Sequence, residues 1–133
     1  MPAQIDTNGT PPLLAGRACE VFICEGLCLD GQIVETAHVT YLKFDGHWTR
    51  LYFEPGVIFW RDGQPTLTQF SDAEHTAIYP NNDVGLRAGV IGQTLLNYAI
   101  QPTEDGCQVI FSFTNGRAIE LICNGEFTDY NFT

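Results

Sequence analysis

The stretch that decides the fold is His38-Val-Thr-Tyr-Leu-Lys-Phe-Asp-Gly-His-Trp-Thr-Arg-Leu-Tyr-Phe-Glu54. Apolar and polar residues alternate on both sides of Asp45-Gly46, and a period of two is typical of a strand with one buried face. Asp-Gly favours a two-residue type I′ turn, because both turn positions need a positive φ. The stretch therefore predicts a β-hairpin that turns at Asp45-Gly46.

A second stretch has the same design, Gln108-Val-Ile-Phe-Ser-Phe-Thr-Asn-Gly-Arg-Ala-Ile-Glu-Leu-Ile-Cys-Asn124. With a type I′ turn at Asn115-Gly116, both faces of this hairpin are apolar and both are predicted to be covered. One face then holds Val109, Phe111, Phe113 and Ile122, and the other holds Ile110, Ile119, Leu121 and Cys123. A three-residue turn with a bulge is the alternative, and it would shift the register by one residue and exchange these faces.

Similar segments flank the two hairpins. A glycine-containing apolar segment precedes each of them, at Leu14–Cys24 and Val90–Ile100, and a short run of β-forming residues follows each, at Val57–Arg61 and Glu126–Tyr130. We therefore predict an all-β fold, an antiparallel sandwich or partly closed barrel built from two pseudo-repeated strand–hairpin–strand units. The units are residues 13–62 and 89–132, with a linker at 63–88, in a single β domain of residues 13–133 behind a flexible tail at 1–12.

The remaining segments are predicted to contain little regular structure. Glu25–Gly31 is expected to be a loop, and Thr66–Phe70 a short edge strand that could also pair between two copies in a homodimer. A single short helix is expected near residues 71–78 or 84–90, since Pro80 interrupts any longer one.

The first hairpin predicts a candidate binding patch. Its turn places Leu42, Phe44, Leu51 and Phe53 on a core face. The opposite face pairs Lys43 with Trp48 and Tyr41 with Arg50, as cross-strand cation–π contacts. Aromatic and arginine side chains are enriched at binding hot spots, although the same rings could simply cover the sheet. The predicted binding residues are Tyr41, Lys43, Trp48, Arg50, Tyr52 and Trp60.

Charge restricts the classes of partner. The chain has 16 acidic and 6 basic residues, a net charge of −10 and a pI of about 4.4. This field disfavours nucleic acid and anionic membranes and attracts a basic partner. The chain has no signal-like start, no long apolar segment and an odd number of cysteines, five, so we expect a cytoplasmic protein with reduced thiols.

Catalytic and metal-binding motifs are absent from the sequence. It contains no Gly-x-Ser-x-Gly, no phosphate-binding loop, no His-Glu-x-x-His and no dinucleotide fingerprint. His75 lies near Asp72 and Glu74, but no nucleophile accompanies it, so it is expected to be a loop residue. Cys19, Cys24 and Cys28, even with His38 or His47, do not form the paired pattern of zinc sites. We therefore predict no catalytic residue, no metal and no cofactor.

Three segments carry a resemblance, Val90-Ile-Gly-Gln-Thr94, Val109-Ile-Phe-Ser-Phe-Thr-Asn-Gly116 and Phe127-Thr-Asp-Tyr130. They resemble small acidic bacterial β proteins of unknown function, some of which are of the immunity type found in toxin systems. The resemblance implies a binder and assigns no functional residues.

The function predicted from charge, motifs and resemblance is that of a non-catalytic cytosolic binding protein, an immunity-type inhibitor of a basic partner such as a toxin nuclease. One alternative is a small-molecule-binding β-barrel module lined by Trp60, Tyr98, Phe111 and Phe113. Another is an uncharacterised enzyme, in which His47 or His75 would meet a buried carboxylate in a cleft.

Overall fold

A computed structural model describes residues 5–65, 70–71 and 77–133. Within these residues the chain forms twelve strands and one helix: β1 (Asp6–Asn8), β2 (Cys19–Leu29), β3 (Gln32–Phe44), β4 (His47–Glu54), β5 (Val57–Asp62), β6 (Phe70–Ser71), β7 (Ala77–Tyr79), β8 (Asn81–Asn82), α1 (Val84–Ala88), β9 (Leu95–Pro102), β10 (Cys107–Phe113), β11 (Ala118–Cys123) and β12 (Thr128–Phe132).

The strands form two sheets. The first sheet has the order β1-β5-β4-β3-β2-β7-β6, with β8 also paired to β2, and the second has the order β12-β11-β10-β9. All described pairings are antiparallel except that of β1 with β5. The sheets do not close into a barrel, so the predicted all-β sandwich is confirmed.

The hairpin of β3 and β4 has the predicted turn and register. Asp45 and Gly46 have φ values of 47° and 81°, as a type I′ turn requires. The six predicted pairs, from Val39 with Tyr52 to Phe44 with His47, are all observed. Short-range turn chemistry is therefore sufficient to set which side chains of this hairpin face the core.

The predicted loop at Glu25–Gly31 is wrong. Strand β2 continues to Leu29, and the chain turns at Asp30 and Gly31, whose φ values are 50° and 80°. Gly26 lies at a register shift, where a Cβ would be 3.0 Å from the carbonyl oxygen of Glu35. The glycine therefore permits a bulge within a strand, and Asp30-Gly31 forms a further Asp-Gly hairpin turn.

The hairpin of β10 and β11 follows the three-residue alternative, and its predicted type I′ register is wrong. Only Gly116 has a positive φ, 84°, and the Phe113 N–H donates to the carbonyl oxygen of Arg117 at 2.9 Å. Asn115 is held by its side chain, which donates to the Gly89 carbonyl oxygen at 3.0 Å. The shift gathers Val109, Phe111, Phe113, Ile119, Leu121 and Cys123 on the buried face. Ile122 is 37 % exposed on the other face, so the hairpin is not covered on both sides.

The segments that precede β2 and β9 form the same turn and pair with each other. Gly16 and Gly92 both have a φ of 83°, as the third residue of a type II turn requires. The Gly16 N–H donates to the Leu95 carbonyl oxygen at 2.8 Å, and the Gly92 N–H donates to that of Cys19 at 2.7 Å. Each turn leads into a four-stranded antiparallel meander, β2 to β5 or β9 to β12. That the two units are true repeats stays a prediction.

The core lies between the two sheets. Phe22 of the first sheet packs edge-to-face on Phe111 of the second, with ring centroids 5.1 Å apart, and both side chains are fully buried. Along one side the sheets are joined by Asp129, which accepts hydrogen bonds from the Thr36 N–H at 2.8 Å and hydroxyl at 3.0 Å.

The linker and the tail differ from the predictions in part. The short helix lies in the second expected range, capped by Asp83, whose carboxylate accepts from the Leu86 N–H at 3.2 Å. Residues 66–69 of the predicted edge strand and residues 72–76 of the other predicted helix lie outside the described residues. Phe70–Ser71 pairs with β7, and the predicted flexible tail contributes β1 to the first sheet at Asp6–Asn8.

Candidate functional site

Five of the six predicted binding residues lie on the outward face of the first sheet, namely Tyr41, Lys43, Trp48, Arg50 and Tyr52. Trp60 does not lie with them. It is directly opposite Leu51 in the ladder of β4 and β5, on the inward face, and is 2 % exposed. Its ring packs against Tyr98 of the second sheet, with centroids 5.5 Å apart. Trp60 is therefore a core residue.

Two residues that the sequence prediction missed, Phe59 and Arg61, extend the patch across β5. Phe59 is opposite Tyr52, and the two rings stack with centroids 4.8 Å and planes 3° apart. The Arg50 guanidinium lies 5.7 Å from the Tyr52 centroid, and that of Arg61 lies 5.6 Å from the Phe59 centroid. We call Arg50, Tyr52, Phe59 and Arg61 the cation–aromatic row. Phe59 and Arg61 alternate along β5 with the buried residues Ile58 and Trp60. This alternation is present in the sequence and could have placed Phe59 and Arg61 on the outward face.

The remaining patch residues make different contacts from one another. The predicted contact of Lys43 with Trp48 is confirmed, with Nζ 5.7 Å from the ring, and Lys43 also pairs with Glu20 at 3.5 Å. Arg50 lies over Tyr52 rather than over its cross-strand neighbour Tyr41. Tyr41 is only 8 % exposed, and burial raises the pKa of its hydroxyl. Tyr41 therefore packs beneath its neighbours on this face and offers little area for contact with a partner.

Carboxylates surround the cation–aromatic row. The ladders place Glu54 and Asp6 on the outward face beside Val57, and Glu25 on the same face opposite Val39. Arg61 also donates to the Asn8 carbonyl oxygen at 3.2 Å, whereas the buried Nε of Arg50 has no hydrogen-bond partner among the described residues. The centre of this surface thus consists of aromatic rings with guanidinium groups lying over them, and its rim consists of acidic side chains.

A cavity of about 370 Å³ lies where residues 9–12 cross the inward side of β4 and β5. His47 and Asp62 form one wall, with Nε2 and Oδ1 3.0 Å apart, and both side chains are well exposed. The buried Nε1 of Trp60, which also lines the cavity, has no hydrogen-bond partner within the described part of the chain. The cavity can hold a small polar molecule, but its carboxylate is exposed, unlike the buried one expected of an enzyme cleft.

Comparisons with family models, with curated proteins and with solved structures returned no match. Function is therefore inferred from the geometry of these surfaces. Among the residues described, no helix is long and apolar enough to cross a membrane.

Within the described residues, a partly exposed histidine, His38, contacts a buried carboxylate, Glu35. Glu35 is 7 % exposed, and one of its carboxylate oxygens lies 3.4 Å from Nδ1 of His38. The other accepts from the Thr128 N–H at 3.3 Å, which ties the first sheet to the second. Both oxygens of Glu35 are thus in contact with a partner, one within β3 and one across to the second sheet. His75 lies outside the described residues.

The five cysteines are free thiols. Cys19 and Cys24 are fully buried in the first sheet, and burial raises the pKa of each thiol to about 12. Over residues 5–65, 70–71 and 77–133, no group of three or more His, Cys, Asp or Glu side chains could hold a metal ion. Cys107 and Cys123 form a separate pair in the second sheet, which sequence reasoning did not bring together.

Proposed function

We propose that this protein is a non-catalytic binding protein that docks a basic partner protein on the outward face of its first sheet. The observation that carries the proposal is the cation–aromatic row, in which Tyr52 and Phe59 stack on an outward face between two guanidinium groups. Aromatic and arginine side chains are the types enriched at the centre of protein interfaces. Stacked and capped rings are also pre-ordered, which lowers the entropy lost on binding.

Charge supports a basic partner. The net charge of −10 attracts basic proteins at long range, and the rim carboxylates Asp6, Glu25 and Glu54 provide local acceptors. The cations on this face already lie over rings, so the rim makes the charged contacts with the partner. We propose further that this partner is a toxin in the same cytoplasm, which this protein would inhibit by covering its basic surface.

Capture from the source cells at low salt tests the proposal. Wild type, Tyr52→Ala, Arg50→Ala and Ile122→Ala are each immobilised, the last variant being a control on the outward face of the second sheet. We expect wild type and Ile122→Ala to retain the same basic protein, and purified partner to bind Tyr52→Ala about tenfold or more weakly, as for a hot-spot residue. Retention should fall as salt rises.

The proposal is wrong if all four proteins retain the partner equally, or if only Ile122→Ala loses it. If the immobilised protein captures a second copy of this chain and no other protein, the protein self-associates and the proposed docking of a basic partner is wrong. Circular dichroism of each variant separates lost binding from lost folding.

The cavity favours a second candidate, the binding of a small polar molecule. The lining predicted for such a site is wrong in part, because Phe111 and Phe113 are fully buried in the core. Trp60 lines the cavity, and Tyr98 lies beside the N-terminal segment, donating to the Pro12 carbonyl oxygen at 2.7 Å. Ligand-observed NMR of polar metabolites should find one that binds wild type but not His47→Ala. Equal binding to both, or to neither, would eliminate this site.

A further inference from the structure

Cys107 and Cys123 are placed for a direct covalent link. They are opposite each other in the ladder of β10 and β11, and both side chains lie on the buried face of the sheet. Opposite Cα atoms of an antiparallel ladder are about 4.5 or 5.5 Å apart, according to the type of pair. Both spacings lie within the roughly 4.4–6.8 Å that a disulfide spans. The Cα spacing of the pair is therefore compatible with a disulfide.

The two thiols are not equivalent. Cys123 accepts hydrogen bonds from the Cys107 thiol, the Gly125 N–H and the Thr128 hydroxyl, and together these lower the pKa of its own thiol. Burial and the Glu35 carboxylate act in the opposite direction. The same hydrogen bond raises the pKa of Cys107, which stays protonated as the donor. The lowered pKa makes Cys123 the more acidic thiol of the pair, and ionised thiols are the ones that react.

The position of the pair differs from that of the other two buried thiols. Cys107 is the first residue of β10 and Cys123 is the last of β11, so both lie at the end of the second sheet. They are 5 % and 4 % exposed, in contrast to Cys19 and Cys24 in the first sheet, which are fully buried. Two neighbouring free thiols can be oxidised to a disulfide.

We infer that Cys107 and Cys123 form a redox modification site, which a hydroperoxide converts into a reversible disulfide. The Cys123 thiolate attacks the terminal oxygen of hydrogen peroxide, so that an S–O bond forms, the O–O bond breaks and hydroxide leaves. The Cys107 sulfur then attacks the resulting sulfenic acid, the S–S bond forms, the S–O bond breaks and the thiol proton leaves with the hydroxyl group as water. In sum, two thiols and one peroxide give one disulfide and two waters, and two electrons pass to the peroxide. A low-molecular-weight dithiol reverses the change.

Thiol counting and peptide mapping test this inference on the full chain. After reduction and desalting, dilute hydrogen peroxide should lower the number of titratable thiols in denaturant from five to three. Trypsin cleaves after Arg117, which separates the two cysteines, so the oxidised protein should yield the 107-containing and 123-containing peptides joined and two hydrogen atoms lighter. Dithiothreitol should restore five thiols.

Two variants and a control variant test which cysteine reacts with the peroxide and which one completes the disulfide. Cys107→Ala should stop at a sulfenic acid on Cys123 that dimedone labels, whereas Cys123→Ala should give no dimedone label at Cys107. Cys28→Ser, which removes a partly exposed thiol, should still lose two thiols. The inference is overturned if the wild-type map shows a different pairing, or if peroxide oxidises Cys28 while 107 and 123 remain unlinked. The wild-type map decides this even if a variant folds poorly.

Discussion

The rings of Tyr52 and Phe59 stack face to face, with centroids 4.8 Å and planes 3° apart. They are direct partners in the ladder of β4 and β5 and point away from the core. Cross-strand aromatic pairs stabilise a sheet beyond the area that they bury. This pair therefore stabilises the same face of the sheet that we propose as the docking surface.

Replacement of Tyr52 and Phe59 by alanine, singly and together, should show a coupling of about 0.5–1.5 kcal/mol in the free energy of unfolding. Each single variant loses the stack, so the double variant should be less destabilised than the sum of the two. Urea unfolding followed by circular dichroism measures all four proteins. Tyr52→Phe, which keeps the ring, is the control and should retain most of the coupling; additive single effects would contradict a stacked pair.

Turn chemistry explains which parts of the fold could be predicted from sequence. Asp45-Gly46 specified its hairpin fully, because Asp and Gly both accept positive φ and the flanking alternation agrees. Asn115-Gly116 is compatible with two turns, and the contact of Asn115 with the Gly89 carbonyl oxygen favours the three-residue one. That contact spans 26 residues of sequence. No local pattern could therefore have decided the register.

The candidate site was predicted in part for a similar reason. The residues on β3 and β4 followed from one turn, whereas Phe59 and Arg61 depend on how β5 pairs with β4 after the turn at Glu54–Val57. Trp60 was assigned to the patch by residue type, although alternation with Phe59 places it on the opposite face. The Cys107–Cys123 pair depends on the shifted register of the second hairpin and could not be obtained from the predicted one.

The paired turns before β2 and β9 predict a backbone effect of glycine. Gly16→Ala should destabilise the fold by about 1–2 kcal/mol, because alanine is strained at a φ of 83°. A Cβ at this position meets nothing within 4 Å, so the loss comes from the backbone and not from a clash. Gly92→Ala should cost a similar amount and Gly92→Asn less, since asparagine tolerates this conformation. Thermal and urea unfolding give the comparison; equal costs for Ala and Asn at position 92 would refute it.

Buried thiols predict a loss of stability in alkali. Burial raises the pKa of Cys24 from 9.0 to about 12, so in that window the unfolded chain ionises its thiol while the folded one stays neutral. Stability is fully present below the unfolded value and falls as pH rises toward the folded value, by at most about 1.4 kcal/mol per pH unit for each such thiol. Cys24→Ala should make the decline between pH 9 and 11 shallower. Cys28→Ala, which removes a partly exposed thiol, controls for substitution itself; identical slopes in all three proteins would exclude this cause.

The unpaired indole N–H of Trp60 predicts an unequal response to two substitutions. Trp60→Ala should destabilise the protein by about 3–5 kcal/mol, because it removes a fully buried ring from the core. Trp60→Phe keeps a ring against Tyr98 and removes a buried donor that has no partner in the described residues, so its cost should stay below about 1.5 kcal/mol. Trp48→Phe, on the half-buried outward face, is the matched control for loss of an indole. If Trp60→Phe costs as much as Trp60→Ala, the prediction based on an unpaired indole N–H is wrong.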